Sequence, residues 1–445
     1  MNKSLSINMP KDVIFILNKL KDSGHKSYIV GGCVRDSILG RKPKDWDICT
    51  NAMPDEVIKL FNKTIPTGIK HGTVTVMIEN EGYEVTTFRI EDGYDDNRYP
   101  NKVEFISDIR KDLSRRDFTI NAMAYNSEEG LIDPFNGYMD ILNKFIRAVG
   151  NPDKRFNEDA LRMLRAVRFS AQLGFRIDKE TRKSIRKFSD KIKYISVERI
   201  RCELENIIMS DAYKIDDLVS LGLLKYVLPE LYKCLDFNQD NPYHCYDVYR
   251  HIINTVHFIN KEPHLKLTML LHDICKPQCK TIDENEIGHF YGHAELSSEK
   301  ARDILKRLKY DNETINKVTI LIKYHDRQIG KKKSIRRLLN EMGENNFRDL
   351  LKVKCADILA QNREYIGSRL DELTDIRIRL DDVIEQQECF TIKDLAISGR
   401  DLIDLGVKEG KEIGEYLNYC LEKVLKVPTL NNRSDLIKLC TNKLS

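Results

Sequence analysis

Apolar residues recur at helical spacing from Val13 to Leu20, so the chain opens on an amphipathic helix. Ser27 to Val30 is a short apolar run that stops at Gly31-Gly32, the pattern of a strand entering a turn. A further helix is predicted from Pro54 to Phe61. Gly72 to Glu79 and Tyr83 to Ile90 alternate β-branched residues at period two, and Asn80-Glu81-Gly82 between them suits a hairpin connection. These elements predict a small sheet with helices packed on it. Glu91 to Lys102 is polar, rich in turn formers and without period, which predicts a mobile loop. From Arg116 onward helical patterns dominate to the end, with breaks near Pro152, Pro229, Pro242, Gly288 and Pro428. No internal repeat or low-complexity tract interrupts them.

Composition narrows the class. A chain of 445 residues, 41% of them hydrophobic, is long enough for two to four domains with their own cores, which excludes a disordered or fibrous protein. Only 22 glycines and 12 prolines interrupt it, in keeping with a mostly helical protein. No apolar stretch reaches membrane-spanning length, and Met1 to Lys11 lacks the apolar core of an export signal. A soluble cytoplasmic protein with no membrane partner is expected. The eleven cysteines are odd in number and scattered from Cys33 to Cys440, so free thiols are expected.

The net charge of +4 implies no partner, but its distribution is uneven. Residues 144 to 168 carry seven basic side chains against three acidic ones, and residues 423 to 443 carry five against Asp435. Such runs can bind polyanions, although a solvated helix face explains them as well. Histidine is more telling: eight of ten fall between His244 and His325, where even spacing would put about two. That segment reads as a site.

The first candidate constellation lies near the start. Gly31-Gly32-Cys33-Val34-Arg35-Asp36 follows a strand and opens a helix, so backbone amides and Arg35 would face an anion at the turn. Asp45-Trp46-Asp47 comes ten residues on, and on a strand the two carboxylates share one face. Paired carboxylates suit Mg²⁺ and two-metal chemistry at phosphorus, with Glu84 on a neighbouring strand as the third. Singly, a Gly-Gly is more often a tight turn and an Asp-x-Asp a solvated strand edge. Their joint order is what selects the site.

These residues carry a family resemblance. Gly31-Gly32-x-Val34-Arg35-Asp36, Asp45-x-Asp47 and Thr67-Gly68-x-x-His71-Gly72-Thr73-Val74 resemble the nucleotidyltransferase head of the bacterial tRNA CCA-adding enzymes and poly(A) polymerases of class II. The segment Arg115-Arg116-Asp117-Phe118-Thr119-Ile120-Asn121 is similar to the ribose- and triphosphate-binding signature. Asp133-Pro134-Phe135-x-Gly137 through Ile146-Arg147-x-Val149-Gly150 resembles the head-to-neck join. Arg155-Phe156-x-Glu158-Asp159-Ala160-Leu161-Arg162 through Arg168-Phe169 resembles the base-selecting helix, and Ser196-Val197-Glu198-Arg199-Ile200 the helix that braces it.

The resemblance implies an α+β fold, with a small N-terminal mixed β-sheet nucleotidyltransferase head followed by an elongated all-α neck, body, HD bundle and tail. The expected bounds are 1–125 for the head, 126–195 for the neck, 196–240 for an RNA-binding body, 241–360 for the HD domain and 361–445 for a tRNA-binding tail. The implied activity is template-independent addition of C, C and A to tRNA from CTP and ATP. Asp45 and Asp47 would hold two Mg²⁺, with Glu84 orienting or deprotonating the RNA 3′-hydroxyl. Gly32, Arg35 and Arg116 would hold the triphosphate, with Asp117 and Asn121 beside it.

The base-selecting segment has physical content of its own. Asp159, Arg162, Arg165 and Arg168 recur every three residues and would form a slowly turning stripe on one helix. A carboxylate accepts from an exocyclic amine, and a guanidinium donates to a ring acceptor. Cytosine and adenine share that edge, whereas uracil and guanine would leave Asp159 unpaired.

The second constellation comprises His251, His272-Asp273 and Asp357 on helical segments, with His293 and His325 between. Imidazoles and carboxylates at these separations can converge on divalent metal in a helical bundle. They resemble the HD phosphohydrolase signature. His251, His272, Asp273 and Asp357 would bind a divalent transition metal of unspecified identity, and His293 and His325 a second one. Hydrolysis of a phosphomonoester or cyclic phosphodiester is implied, with a folded but inactive relic as the plain alternative. His244, His257, His264 and His289 are left to structural roles. Asp394-Leu395-Ala396-Ile397-Ser398-Gly399-x-Asp401 and Leu405-Gly406-x-x-x-Gly410 resemble the C-terminal segment of the same enzymes.

Within the family, a poly(A) polymerase or a partial A-adding or CC-adding enzyme are the alternatives. Arg98 and Pro100 in an intact loop weigh against the CC-adding type, and His71-Gly72-Thr73 favours the CCA type. A different class of reading makes the chain chiefly an HD phosphohydrolase that binds RNA. The ordered carboxylates of the head weigh against it.

Overall fold

The computed structural model describes residues 5–92, 102–386 and 388–444, and divides into two compact units, Met1–Pro229 and Glu230–Ser445. In the first unit, helix α1 (Lys11–Asp22) buries Val13, Ile16, Leu17 and Leu20, the stripe that the periodicity predicts. Strand β1 (Ser27–Val30) is buried at every position, which explains its unbroken apolar run. It leads through Gly31 into α2 (Gly32–Ile38), and β2 (Ile48–Thr50) follows. Helix α3 (Pro54–Leu60) has proline in its first turn, where no amide partner is lost.

Next come β3 (Thr64–Gly68), β4 (Thr73–Ile78) and β5 (Glu81–Thr87). The β4–β5 hairpin forms as expected, but it turns on Glu79-Asn80, with Glu79 at φ 53°, and Glu81 and Gly82 already belong to β5. After Phe88, β6 (Arg89–Asp92) pairs antiparallel with β7 (Lys102–Phe105). Much of the loop read between Glu91 and Lys102 therefore starts and ends in a ladder, while 93–101, with Arg98 and Pro100, lie outside the described residues.

Helix α4 (Ile109–Ser114) precedes two strands that a helical reading beyond Arg116 misses, β8 (Ala124–Asn126) and β9 (Gly130–Ile132). Three residues are too few to display a period, and β8 is set by pairing with β1 rather than by its own pattern. The sheet runs β3-β4-β5-β2-β1-β8-β9, with β2 and β5 parallel and the other neighbours antiparallel, a mixed sheet. Tyr28, Val30, Cys49, Phe88, Leu113 and Ala124 fill the core on one of its faces.

Helices complete the unit: α5 (Gly137–Leu142), α6 (Pro152–Glu158), α7 (Leu161–Leu173), α8 (Lys179–Phe188) and α9 (Val197–Ser210), followed by shorter ones. The segment expected to select the base is thus not one helix. The chain is extended at Asp159 (φ −145°, ψ 105°), between α6 and α7, and its carboxylate caps α7 by accepting from the Leu161 amide at 3.0 Å.

The second unit is helical apart from one short hairpin at Thr281–Ile282 and Gly288–His289. Its main helices are α10 (Val248–Phe258), α11 (Pro263–Leu271), α12 (His293–Arg307), α13 (Asn312–Tyr324), α14 (Lys332–Leu359) and α15 (Arg363–Glu385), with α16 (Lys411–Lys426) and α17 (Arg433–Leu444) at the end. Leu402, Cys420, Val424, Leu436 and Cys440 form a core of their own among the last helices. Among the described residues no helix is long and apolar enough to cross a membrane.

Candidate functional site

Two constellations emerge, one in each unit. The first surrounds the β1–α2 turn. Gly31 sits at φ 80° and ψ −126°, a conformation open to glycine alone, and a Cβ there would lie 3.1 Å from Nη1 of Arg116. Glycine therefore lets that guanidinium approach the turn. A cleft of about 390 Å³ opens beside it, lined by Gly31, Gly32 and Phe169, by the arginines 35, 115, 116, 162, 165 and 199, by Asp47, Asp117 and Asp159, and by Asn121. Six guanidiniums against three carboxylates make it a receptor for a polyanion.

A relay holds the donors in place. Arg35 donates to Asn121 at 2.6 Å, Asn121 donates to Asp117 at 3.2 Å, and Asp117 accepts from Arg165 at 2.8 Å. Burial works against a charge on Asp117, but Arg165 and Arg162 beside it hold its carboxyl at about 2. Arg162 is anchored to Glu158 at 2.8 Å and to the carbonyls of Arg155 and Arg115. Nε of Arg116 is buried with no hydrogen-bond partner, a donor left for a ligand.

Asp47 and Glu84 meet at an adjoining cavity of about 240 Å³ that shares Asp47, Arg115 and Arg116 with the first and adds Glu84, Thr73 and Thr86, while Asp45 is in the lining of neither. Asp45 and Asp47 lie in the segment just before β2 rather than on the strand itself. Because Ile48 pairs with Val85 in the parallel β2–β5 ladder, the preceding Asp47 comes level with Glu84. Desolvation by its surroundings, with Glu84 and Asp45 nearby, raises the Asp47 carboxyl above its ordinary value against the pull of Arg116. Converging carboxylates of this kind favour a bound cation.

Asp159 reaches the cleft, where Arg199 on α9 grips it at 2.7 and 3.3 Å. Arg168 stands apart from the lining and pairs with Glu203 at 2.7 Å. A three-residue step turns a helix by about 300°, so by Arg168 the stripe begun at Arg162 has rotated by about 120°.

The second constellation gathers all six residues of the predicted signature. Nε2 of His251 lies 2.9 Å from Asp357 and 3.4 Å from Asp273, and Nε2 of His272 lies 3.2 Å from Asp273. His293 and His325 approach the other Asp273 oxygen at 3.3 and 3.5 Å. The four Nδ1 atoms face the carbonyls of Ala360, Met269, Phe290 and Ile322 at 2.7 to 3.2 Å. A carbonyl only accepts, so each Nδ1 carries a hydrogen and each Nε2 is turned to the centre. Nε2 of His272 and both Asp273 oxygens are buried without an aligned hydrogen bond. Burial opposes a proton on His272, yet Asp273 and Asp357 raise its imidazole to about 9. A divalent cation fits this donor set.

A cavity of about 500 Å³ opens on the cluster, with Lys276, Arg369, Tyr243 and Tyr365 in its wall. His244 lines it too, although its sequence position carries no mark of that. His264 and His289 instead pair with Asp349 and Asp283, each at 2.9 Å.

Comparison with known proteins decides the family. Residues 27–147 match the Poly A polymerase head domain, 174–235 match an RNA and SrmB-binding site of polymerase A, and 283–439 match tRNA nucleotidyltransferase domain 2. The chain is 35% identical over 438 residues to the CCA-adding enzyme of Ligilactobacillus salivarius, covering 96% of this chain and 95% of that one. The chain belongs to the family of CCA-adding enzymes. It is also 33% identical over 437 residues to the CCA-adding enzyme of Pediococcus pentosaceus, covering 98% of each. Among solved structures it is similar to the Bacillus stearothermophilus CCA-adding enzyme in complex with CTP, at a TM-score of 0.72, 26% identity and 98% of each chain.

Within this CCA-adding fold, sequence reasoning missed three things at the cleft. Arg199 is legible only as part of a bracing helix, since its partner Asp159 lies 40 residues away. Arg115 and Phe169 stand inside motifs but carry no signal that they line the cavity.

Proposed function

We propose that the chain adds C, C and A to the 3′ end of tRNA, using CTP and ATP. The observation that carries this is the arginine-lined cleft at the β1–α2 turn, adjoining converging carboxylates on a nucleotidyltransferase head. Asp45 and Asp47 would hold the divalent metal, most suitably two Mg²⁺. Bound there, the metal supplies charge neutralisation at the α-phosphate and the leaving pyrophosphate. Gly32, Arg35 and Arg116 bind the triphosphate, and the Asn121–Asp117–Arg165 relay keeps the donors aimed. Glu84 takes up the RNA 3′-hydroxyl, orienting it or accepting its proton. Asp159, steadied by Arg199, accepts from the exocyclic amine of C or A while Arg162 donates to the adjacent ring acceptor. With tRNA as its substrate, the enzyme would work in the cytoplasm. The test is incubation of tRNA transcripts lacking CCA, CA or A with CTP, ATP, both or neither. Addition that stops after C or runs on into poly(A) would replace this reading with a partial enzyme or a poly(A) polymerase.

The four inward-facing imidazoles favour a second activity in the other unit, metal-dependent hydrolysis of a phosphomonoester or cyclic phosphodiester. His251, His272, Asp273 and Asp357 would hold the metal, with His293 and His325 completing a second position. Metal analysis and turnover of a cyclic nucleotide phosphate test it; absence of both leaves the cluster structural.

A further inference from the structure

Phe169 is buried in α7, at 5% exposure, yet it lines the cleft. Three guanidinium carbons stand over its ring, Arg168 at 4.1 Å, Arg35 at 5.2 Å and Arg165 at 5.4 Å. Each cation also has a polar partner of its own. Arg35 is held by Asp36 and Asn121, Arg165 by Asp117, and Arg168 by Glu203. The ring is the element that all three share. Arg165 and Phe169 are one turn apart on α7 and move as a unit, whereas Arg35 comes from α2. Phe118 meets Phe169 edge-to-face at 5.8 Å and 81°, which fixes the tilt of the ring.

We propose that Phe169 is a positioning residue for the incoming nucleotide: its π-face registers Arg35, at the triphosphate end of the cleft, against Arg165 on the base-selecting helix. The proposal rests on the nucleotidyl-transfer reading of this cleft. An aromatic face attracts a guanidinium through its quadrupole, and a low-dielectric wall strengthens that attraction. An aliphatic side chain of similar size would fill the same space but leave the spacing of Arg35 and Arg165 to the Asn121–Asp117 relay alone.

The test changes the electrons of the ring and little else. Monofluoro-, difluoro- and pentafluorophenylalanine are placed at position 169 of the full chain, and CTP and ATP binding is measured alongside KM and kcat for addition. Kd and KM for both nucleotides should rise stepwise with fluorination, to about tenfold for the pentafluoro ring, with kcat and melting temperature nearly constant. Phe169→Leu should resemble the pentafluoro protein, and Phe169→Tyr should resemble wild type. A flat fluorination series overturns the proposal, as do Leu and Tyr variants that behave alike. Wild-type protein that binds neither CTP nor ATP overturns the reading of the cleft itself, and the proposal with it.

Discussion

The arginine cleft and the histidine cluster solve opposite problems with charged side chains. In the cleft the cations are held by carboxylates, an amide and backbone carbonyls, and together they line an open cavity. Such a site waits for a ligand that brings its own negative charge. In the cluster the imidazoles are pinned by backbone carbonyls, and their Nε2 atoms converge on buried Asp273 and half-buried Asp357. That arrangement is satisfied only by something positive, a proton or a metal ion. One site is lined to suit a polyanion, and the other to suit a cation.

The sharpest way to break the contrast is to remove the head carboxylates. Asp45→Ala or Asp47→Ala should reduce nucleotide incorporation by about a thousandfold or more, with circular dichroism and the metal content of the second unit unchanged. Retained incorporation would falsify the metal-holding role.

Next in size is the cluster. His272→Ala or Asp273→Ala should eliminate metal uptake and phosphatase turnover while CCA addition proceeds. Because the metal-free His272 holds its proton up to about pH 9, metal must displace that proton below this value. Affinity measured by titration should therefore rise with pH until about 9 and then level, and a pH-independent affinity removes His272 from the ligand set.

Base selection should be a smaller effect. Asp159→Ala is expected to lose about a hundredfold of discrimination against UTP and GTP, read as ratios of kcat/KM. Arg199→Met should lose part of it, since Asp159 remains but loses its brace. Unchanged selectivity in both refutes the reading of this edge.

The smallest effect concerns stability. Asp117 has a depressed carboxyl, about 2 in the folded protein against roughly 4 in an unfolded chain. Its contribution is present above about pH 4 and is lost as pH falls towards 2, at about 2 kcal/mol in full. The Asp117→Asn protein should lose less stability than wild type between about pH 5 and pH 3 in urea titrations. Equal losses would show that Arg165 does not stabilise this carboxylate.

How much of this was legible beforehand follows from the range of each interaction. The Gly31-Gly32 turn and the α1 stripe are local patterns, and they stand where the pattern puts them, whereas Asp45 and Asp47, expected on a strand, lie just before β2. The six residues proposed as ligands do come together, though their convergence spans more than 100 residues of chain. The break at Asp159 was not legible, because a helical run of side chains does not reveal that one carboxylate will cap the next helix instead of riding on it. Strands β8 and β9 were missed because pairing with a neighbour, rather than their own composition, makes them strands.

The sequence by itself determined the family, the order of the motifs and which residues could do chemistry, since side-chain type and near-neighbour spacing suffice for those. Only the tertiary structure decided which of them meet. It turned Arg168 away to Glu203, brought Arg199 to Asp159, set Asp47 beside Glu84 and stacked three arginines around Phe169. Those outcomes depend on ladder register, helix rotation and the burial of partners far apart in the chain, and no local pattern encodes them.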